Sequence, residues 1–122
     1  MNSFVINGTE FGVDNVEMTV ENDILNLSFT GNDDIFDEIM QDDDSEWSWA
    51  MDAPKVYFNK VPLDKNNCLK IDFDSEDECA LYMMEHNALS GFLEKTDVAI
   101  SFSGEVDIMG DIMDLEFYIE AS

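Results

Sequence analysis

The side chains with chemical potential in this chain are overwhelmingly carboxylates. Among 122 residues, 29 are Asp or Glu and 5 are Lys or Arg, for a formal net charge of −24. The cations are all lysines, because the chain contains no arginine. Two groups of acids stand apart from any cation. The first is Asp33, Asp34, Asp37, Glu38, Asp42, Asp43, Asp44 and Glu46, a run that leads directly into Trp47 and Trp49. The second is Glu105, Asp107, Asp114 and Glu116 near the end of the chain. A charge run is most often a solvated face. The alternative is that such carboxylates await a cation, either a metal or a basic patch on a partner. Tryptophans beside the first group strengthen that alternative, because indoles are enriched as interface anchors. Core packing is the competing reading, and for at least one of the two it is favoured.

Other constellations fail on spacing. Asp72, Asp74 and Glu76 alternate as an EF-hand loop begins, but Asp77 occupies the position of the turn glycine and Met83 that of the closing glutamate. Cys68, Cys79 and His86 lack the paired spacing of a zinc site. On a helix, Cys79 and His86 would be separated by about 10 Å of axial rise, too far for a thiolate–imidazole dyad. There is no glycine-rich phosphate loop and no nucleophile motif. Carboxylate pairs are too abundant to identify acid–base machinery. The expectation is a protein that is not an enzyme, with no metal and no cofactor.

The charge balance also excludes classes of partner. Binding of nucleic acid needs a basic surface that neutralises phosphates, and docking on an anionic membrane needs the same sign. Disorder is excluded by composition, since 45% hydrophobic and 11% aromatic residues are ordinary for a globular chain. The length suits a single domain over residues 1–122. Residues 1–8 carry no basic segment ahead of an apolar one, and no stretch is long and apolar enough to span a bilayer. A cytoplasmic protein with free thiols at Cys68 and Cys79 is expected.

The positioning elements are mostly hairpins. Asn7-Gly8 between apolar runs is a strong hairpin signal and sets Phe4 opposite Phe11. Val16, Met18 and Val20 alternate with polar residues, as do Leu25, Leu27 and Phe29. A turn at Asn22-Asp23 pairs Val20 with Leu25, Met18 with Leu27 and Val16 with Phe29. Ile35, Phe36, Ile39 and Met40 have helical spacing and predict a short acidic helix at about 33–40. Trp47, Trp49 and Met51 alternate as a strand would. Pro54 breaks that run, and another strand covers Val56 to Val61 until Pro62. Leu69, Ile71 and Phe73 predict a further strand. Ser75-Glu76-Asp77-Glu78 forms a capping box, predicting the main helix at about 76–90 with Gly91 beyond its end. Gly110-Asp111 suits a type II′ turn closing a long last hairpin. That register pairs Ile108 with Met113, Val106 with Leu115 and Gly104 with Phe117. The fold class is α+β, a mostly antiparallel sheet packed on one main helix.

The same register places Asp107 opposite Asp114 and Glu105 opposite Glu116, with no lysine in either strand. Like charges directly opposed on an antiparallel pair are destabilising, so this face is the second candidate surface. In size, acidity and lack of catalytic motifs the chain resembles bacterial immunity proteins of interbacterial toxin systems. The likeness carries no residues onto this chain; the uncompensated carboxylates themselves predict an inhibitor of a basic toxin domain, a nuclease above all, held at its active-site or substrate groove by one of the two candidate surfaces, with Trp47 or Trp49 as the anchor of the first. The competing readings are a phage DNA mimic acting on a defence protein and a calcium-binding or structural module. Edge strands allow a weak dimer, and high net charge favours the monomer.

Overall fold

A computed structural model describes residues 2–41, 53–64, 66, 68–75, 78–83 and 85–120. The strand expected around Trp47, Trp49 and Met51 lies outside the described residues.

Asn7 and Gly8 both take positive φ, 49° and 82°, the geometry of a type I′ turn. They join β1 (Ser3–Ile6) to β2 (Thr9–Glu10). The Phe11 amide donates to the Phe4 carbonyl at 2.9 Å, as the expected pairing requires. Asn22 and Asp23, at 53° and 64°, make the second such turn, between β3 (Asp14–Glu21) and β4 (Ile24–Thr30). Val20 faces Leu25 and Met18 faces Leu27. Val16 does not face Phe29, because the register shifts between Asp14 and Glu17. Asn15 sits there at a φ of 55°, so two residues of β3 oppose one of β4. This bulge leaves Val16 39% exposed.

Helix α1 (Asp33–Met40) forms where its apolar spacing predicts it. Asn32 caps it, its side-chain oxygen accepting from the Ile35 amide at 3.0 Å. Asp33 and Asp34 in the first turn suit the positive end of the helix dipole. Phe36 enters the core, and Ile39 and Met40 pack against it.

The larger helix expected at 76–90 is not there. Its described residues from Cys79 onward form β7 (Cys79–Met83) and the first part of β8 (Glu85–Lys95), an antiparallel hairpin. Ser75 ends a single 3₁₀ turn at Phe73–Ser75 instead of capping an α-helix. Two periods coexist in this stretch. Cys79, Met83 and His86 fit a helix, while Cys79, Leu81 and Met83 also alternate as the buried face of a strand. Hydrogen bonding across the sheet decides between them. Strand β5 (Lys55–Pro62) pairs with β7, setting Val56 opposite Leu81, and β8 pairs with β9 (Ala99–Ile108). A helix in this place would strip both neighbours of these backbone partners.

The last hairpin, β9 with β10 (Asp111–Glu120), also differs from expectation. Its turn is Met109-Gly110, with φ of 53° and 90°, and the Gly110 amide donates to an Asp107 carboxylate oxygen at 2.9 Å. The register is therefore shifted by two residues. Val106 faces Met113, Gly104 faces Leu115 and Phe102 faces Phe117. The shift keeps every side chain on its expected face, and it stacks the rings of Phe102 and Phe117 at 5.5 Å and 13°.

Among the described residues ten strands, with β6 (Cys68–Ile71) attached to β8, form one sheet in the order β2-β1-β10-β9-β8-β7-β5-β4-β3. Strand β8 is the branch point. One edge pairs with β9, and the other pairs with β7 over residues 85–88 and with β6 over 91–94. The sheet curls strongly. Five strands separate β1 from β4 in hydrogen-bond order, yet the rings of Phe4 and Phe29 meet edge-on at 5.1 Å. Phe29 also meets Phe117 at 5.0 Å, and Phe58 reaches Phe102 and Phe117. The core thus fills the concave side of a half-barrel, with α1 contributing Phe36 to it. Gly91 and Gly104 face one another across β8 and β9. A β-carbon on Gly104 would lie 2.2 Å from the Ser90 carbonyl oxygen, so only glycine permits this approach.

Candidate functional site

Alternation in β8, β9 and β10 sends every second side chain to the convex face of the sheet. The register aligns those residues in rows across the strands. One row runs Ser90, Glu105, Asp114. The next runs Lys70, Phe92, Ser103, Glu116, Val5. A third runs Cys68, Glu94, Ser101, Tyr118, Ser3.

Glu105 is therefore directly opposite Asp114, and Glu116 faces Ser103. Asp107 faces Ile112 at the hairpin end, where its carboxylate is engaged by the Gly110 amide. The opposed pairs anticipated from the two-residue-different register, Asp107 with Asp114 and Glu105 with Glu116, are corrected to one direct pair with diagonal neighbours. Neither β9 nor β10 contains a lysine. The four carboxylates still share one face, and Glu94 of β8, beyond the end of the helix expected at 76–90, joins them opposite Ser101.

This convex face is not flat. Small residues on β9 leave a depression of about 440 Å³, floored by Ser101 and Ser103 and walled by Phe92 and Glu94 on one side and Glu116 and Tyr118 on the other. Phe92 is 49% exposed and Tyr118 38%. A second depression of about 480 Å³ adjoins it through Ser103 and Glu116, and reaches Asp114 and the Asn7-Gly8 turn.

Asp33, Asp34, Asp37 and Glu38 are exposed on α1. Their helix packs through Phe36 on the concave side, so they belong to a different surface from the β9–β10 acids. Asp42, Asp43, Asp44, Glu46, Trp47 and Trp49 lie outside the described residues.

The cysteine and histidine side chains are dispersed. Cys79 is buried on the concave face as a free thiol, and burial followed by the Glu78 carboxylate pushes it up to about 12. Cys68 is also free, and burial together with Asp64 and Glu94 raises it. His86 stands opposite Tyr82 on the convex face of β8, with Nδ1 2.7 Å from the Tyr57 hydroxyl. The rings of Tyr57 and Tyr82 meet the imidazole at 5.7 and 5.2 Å. Cys79 and His86 thus point to opposite faces of the hairpin. Among the described residues, no three of His, Cys, Asp and Glu gather as a metal centre requires. No helix among them is long and apolar enough to cross a membrane.

No protein-family model, curated protein or solved structure matches this chain. The arrangement of its own side chains is therefore the basis for assigning a role.

Proposed function

We propose that this protein is a binding inhibitor that captures a basic protein through the convex face of β8, β9 and β10. In this reading it is of the immunity type that neutralises a toxin, with a nuclease as the best-suited target. Nucleases hold phosphates in grooves lined with lysine and arginine. Carboxylates presented at the same places occupy such a groove by charge and shape. The observation that carries the reading is the direct opposition of Glu105 and Asp114 on two strands that contain no lysine. A sheet selected for stability alone would place a cation or threonine at one of these positions, since like charges there are destabilising. A net charge of −24 adds a long-range field, which accelerates encounter with a basic partner by about 10- to 10³-fold at low salt.

The test is co-expression with the product of the neighbouring gene, because toxin and immunity genes are normally adjacent. A complex that forms at low ionic strength, weakens as salt rises and is lost with Glu105→Lys/Glu116→Lys supports the reading. A tight complex indifferent to both salt and these substitutions contradicts it.

A further inference from the structure

The depression on β9 is built as two equivalent halves. At the level of Ser103, the β8 wall is Phe92 and the β10 wall is Glu116. At the level of Ser101 the order is reversed, with Glu94 on β8 and Tyr118 on β10. Each half therefore offers one exposed aromatic ring, one carboxylate and one serine hydroxyl. Strands β8 and β10 flank β9 and so lie about 10 Å apart, room for one side chain between the walls. The halves are separated by two residues of β9, about 7 Å. Lys70 stands beyond Phe92, outside the wall.

These features match one cationic side chain better than any other. A guanidinium is flat, stacks on an aromatic face and still presents N–H donors at its edge to a carboxylate and a hydroxyl. An ammonium of lysine is a hydrated point charge that cannot satisfy ring and carboxylate in the same way. In an extended peptide, side chains at i and i+2 point the same way and are about 7 Å apart.

We propose that the trough reads an extended Arg-x-Arg segment of the partner, one guanidinium in each half. This rests on the capture reading of the same face and narrows it from charge to residue type and spacing.

The experiment titrates isotopically labelled protein at low salt with three blocked peptides, Gly-Arg-Ser-Arg-Gly, Gly-Arg-Ser-Ser-Arg-Gly and Gly-Lys-Ser-Lys-Gly, followed by amide chemical shifts. A citrulline version of the first is the neutral control. The Arg-x-Arg peptide is expected to move amides of Phe92, Ser101, Ser103 and Glu116 and to bind about tenfold more tightly than the lysine peptide, from its ring contacts. The peptide with the longer spacing is expected to bind several-fold more weakly than Arg-x-Arg. Phe92→Ala and Tyr118→Ala, both at exposed positions, are expected to reduce arginine binding to the lysine level. Equal affinity for the arginine and lysine peptides, indifference to spacing, or shifts scattered over α1 overturns the trough and leaves electrostatic capture standing. Binding no stronger than that of the citrulline peptide also overturns it. In that case the complex with the neighbouring gene product decides separately whether capture itself survives.

Discussion

Glu105 and Asp114 face one another across β9 and β10, and relieving that opposition should be measurable as stability. Opposed β-carbons are about 5 Å apart, and pairs at this separation contribute up to about 1 kcal/mol. Two unit charges about 6 Å apart in water give about 0.7 kcal/mol, a figure of the same size. Glu105→Gln and Asp114→Asn should therefore each stabilise the fold at low salt, by about 0.5 kcal/mol. The double variant should gain little beyond either single one, because the first substitution already removes the repulsion. A double-mutant cycle by urea denaturation reads this coupling directly. At 1 M salt the screening length falls to about 3 Å, and the coupling should shrink accordingly. The cycle of Glu105→Gln with Glu116→Gln is the comparator, since those residues are diagonal neighbours in this register. A larger coupling for Glu105 with Glu116 than with Asp114 would refute the register, and destabilisation by both single substitutions would refute the claim of strain.

Other consequences follow from the same packing. Gly104→Ala should destabilise by about 2 kcal/mol or more in urea, because its β-carbon would collide with the Ser90 carbonyl; an unchanged midpoint would contradict the close β8–β9 approach. The buried Asn87 amide donates to the carbonyls of Leu81 at 3.2 Å and Glu85 at 3.0 Å. Asn87→Ala should therefore cost about 1–3 kcal/mol by thermal or chemical denaturation, and a neutral result would argue against the β7–β8 hairpin. The Cys79 thiol lies near 12 in the fold against an ordinary 9.0. Its contribution to stability is complete below pH 9 and is lost as pH climbs toward 12, because the unfolded chain releases the proton first. Denaturation midpoints between pH 8 and 11 should fall less steeply in Cys79→Ala than in the parent; identical slopes would contradict that burial.

Legibility in the sequence divided by the range of the interactions. Turns with residue types that favour positive φ, Asn7-Gly8 and Asn22-Asp23, were legible because the conformation is local. So was α1, because the spacing of Ile35, Phe36, Ile39 and Met40 that predicts it lies within one short segment. The β7–β8 hairpin was not, because residues 79–89 satisfy both a helical and an alternating pattern, and only the hydrogen-bonding needs of β5 and β9 separate them. The signal present was the alternation of Cys79, Leu81 and Met83 followed by Leu89 and Leu93. The β9–β10 turn was misplaced by one residue, and the register therefore by two, because Gly110 suits either central position. Parity survived that error, so the four carboxylates appeared on the correct face with the wrong partners. The trough was invisible for a related reason. Phe92 and Glu94 enter it only once β8 is a strand, and the pairing of Ser101 with Tyr118 exists only in the observed register.

The most direct measurement of the central claim is the association rate of the co-purified basic partner with the parent protein and with the triple variant Glu105→Gln/Asp114→Asn/Glu116→Gln, over a series of salt concentrations. The account predicts a rate at low salt at least tenfold slower for the variant, with the two curves converging as the field is screened. Equal rates at every salt concentration, or a loss produced only by neutralising Asp33, Asp34, Asp37 and Glu38 on α1, would contradict it.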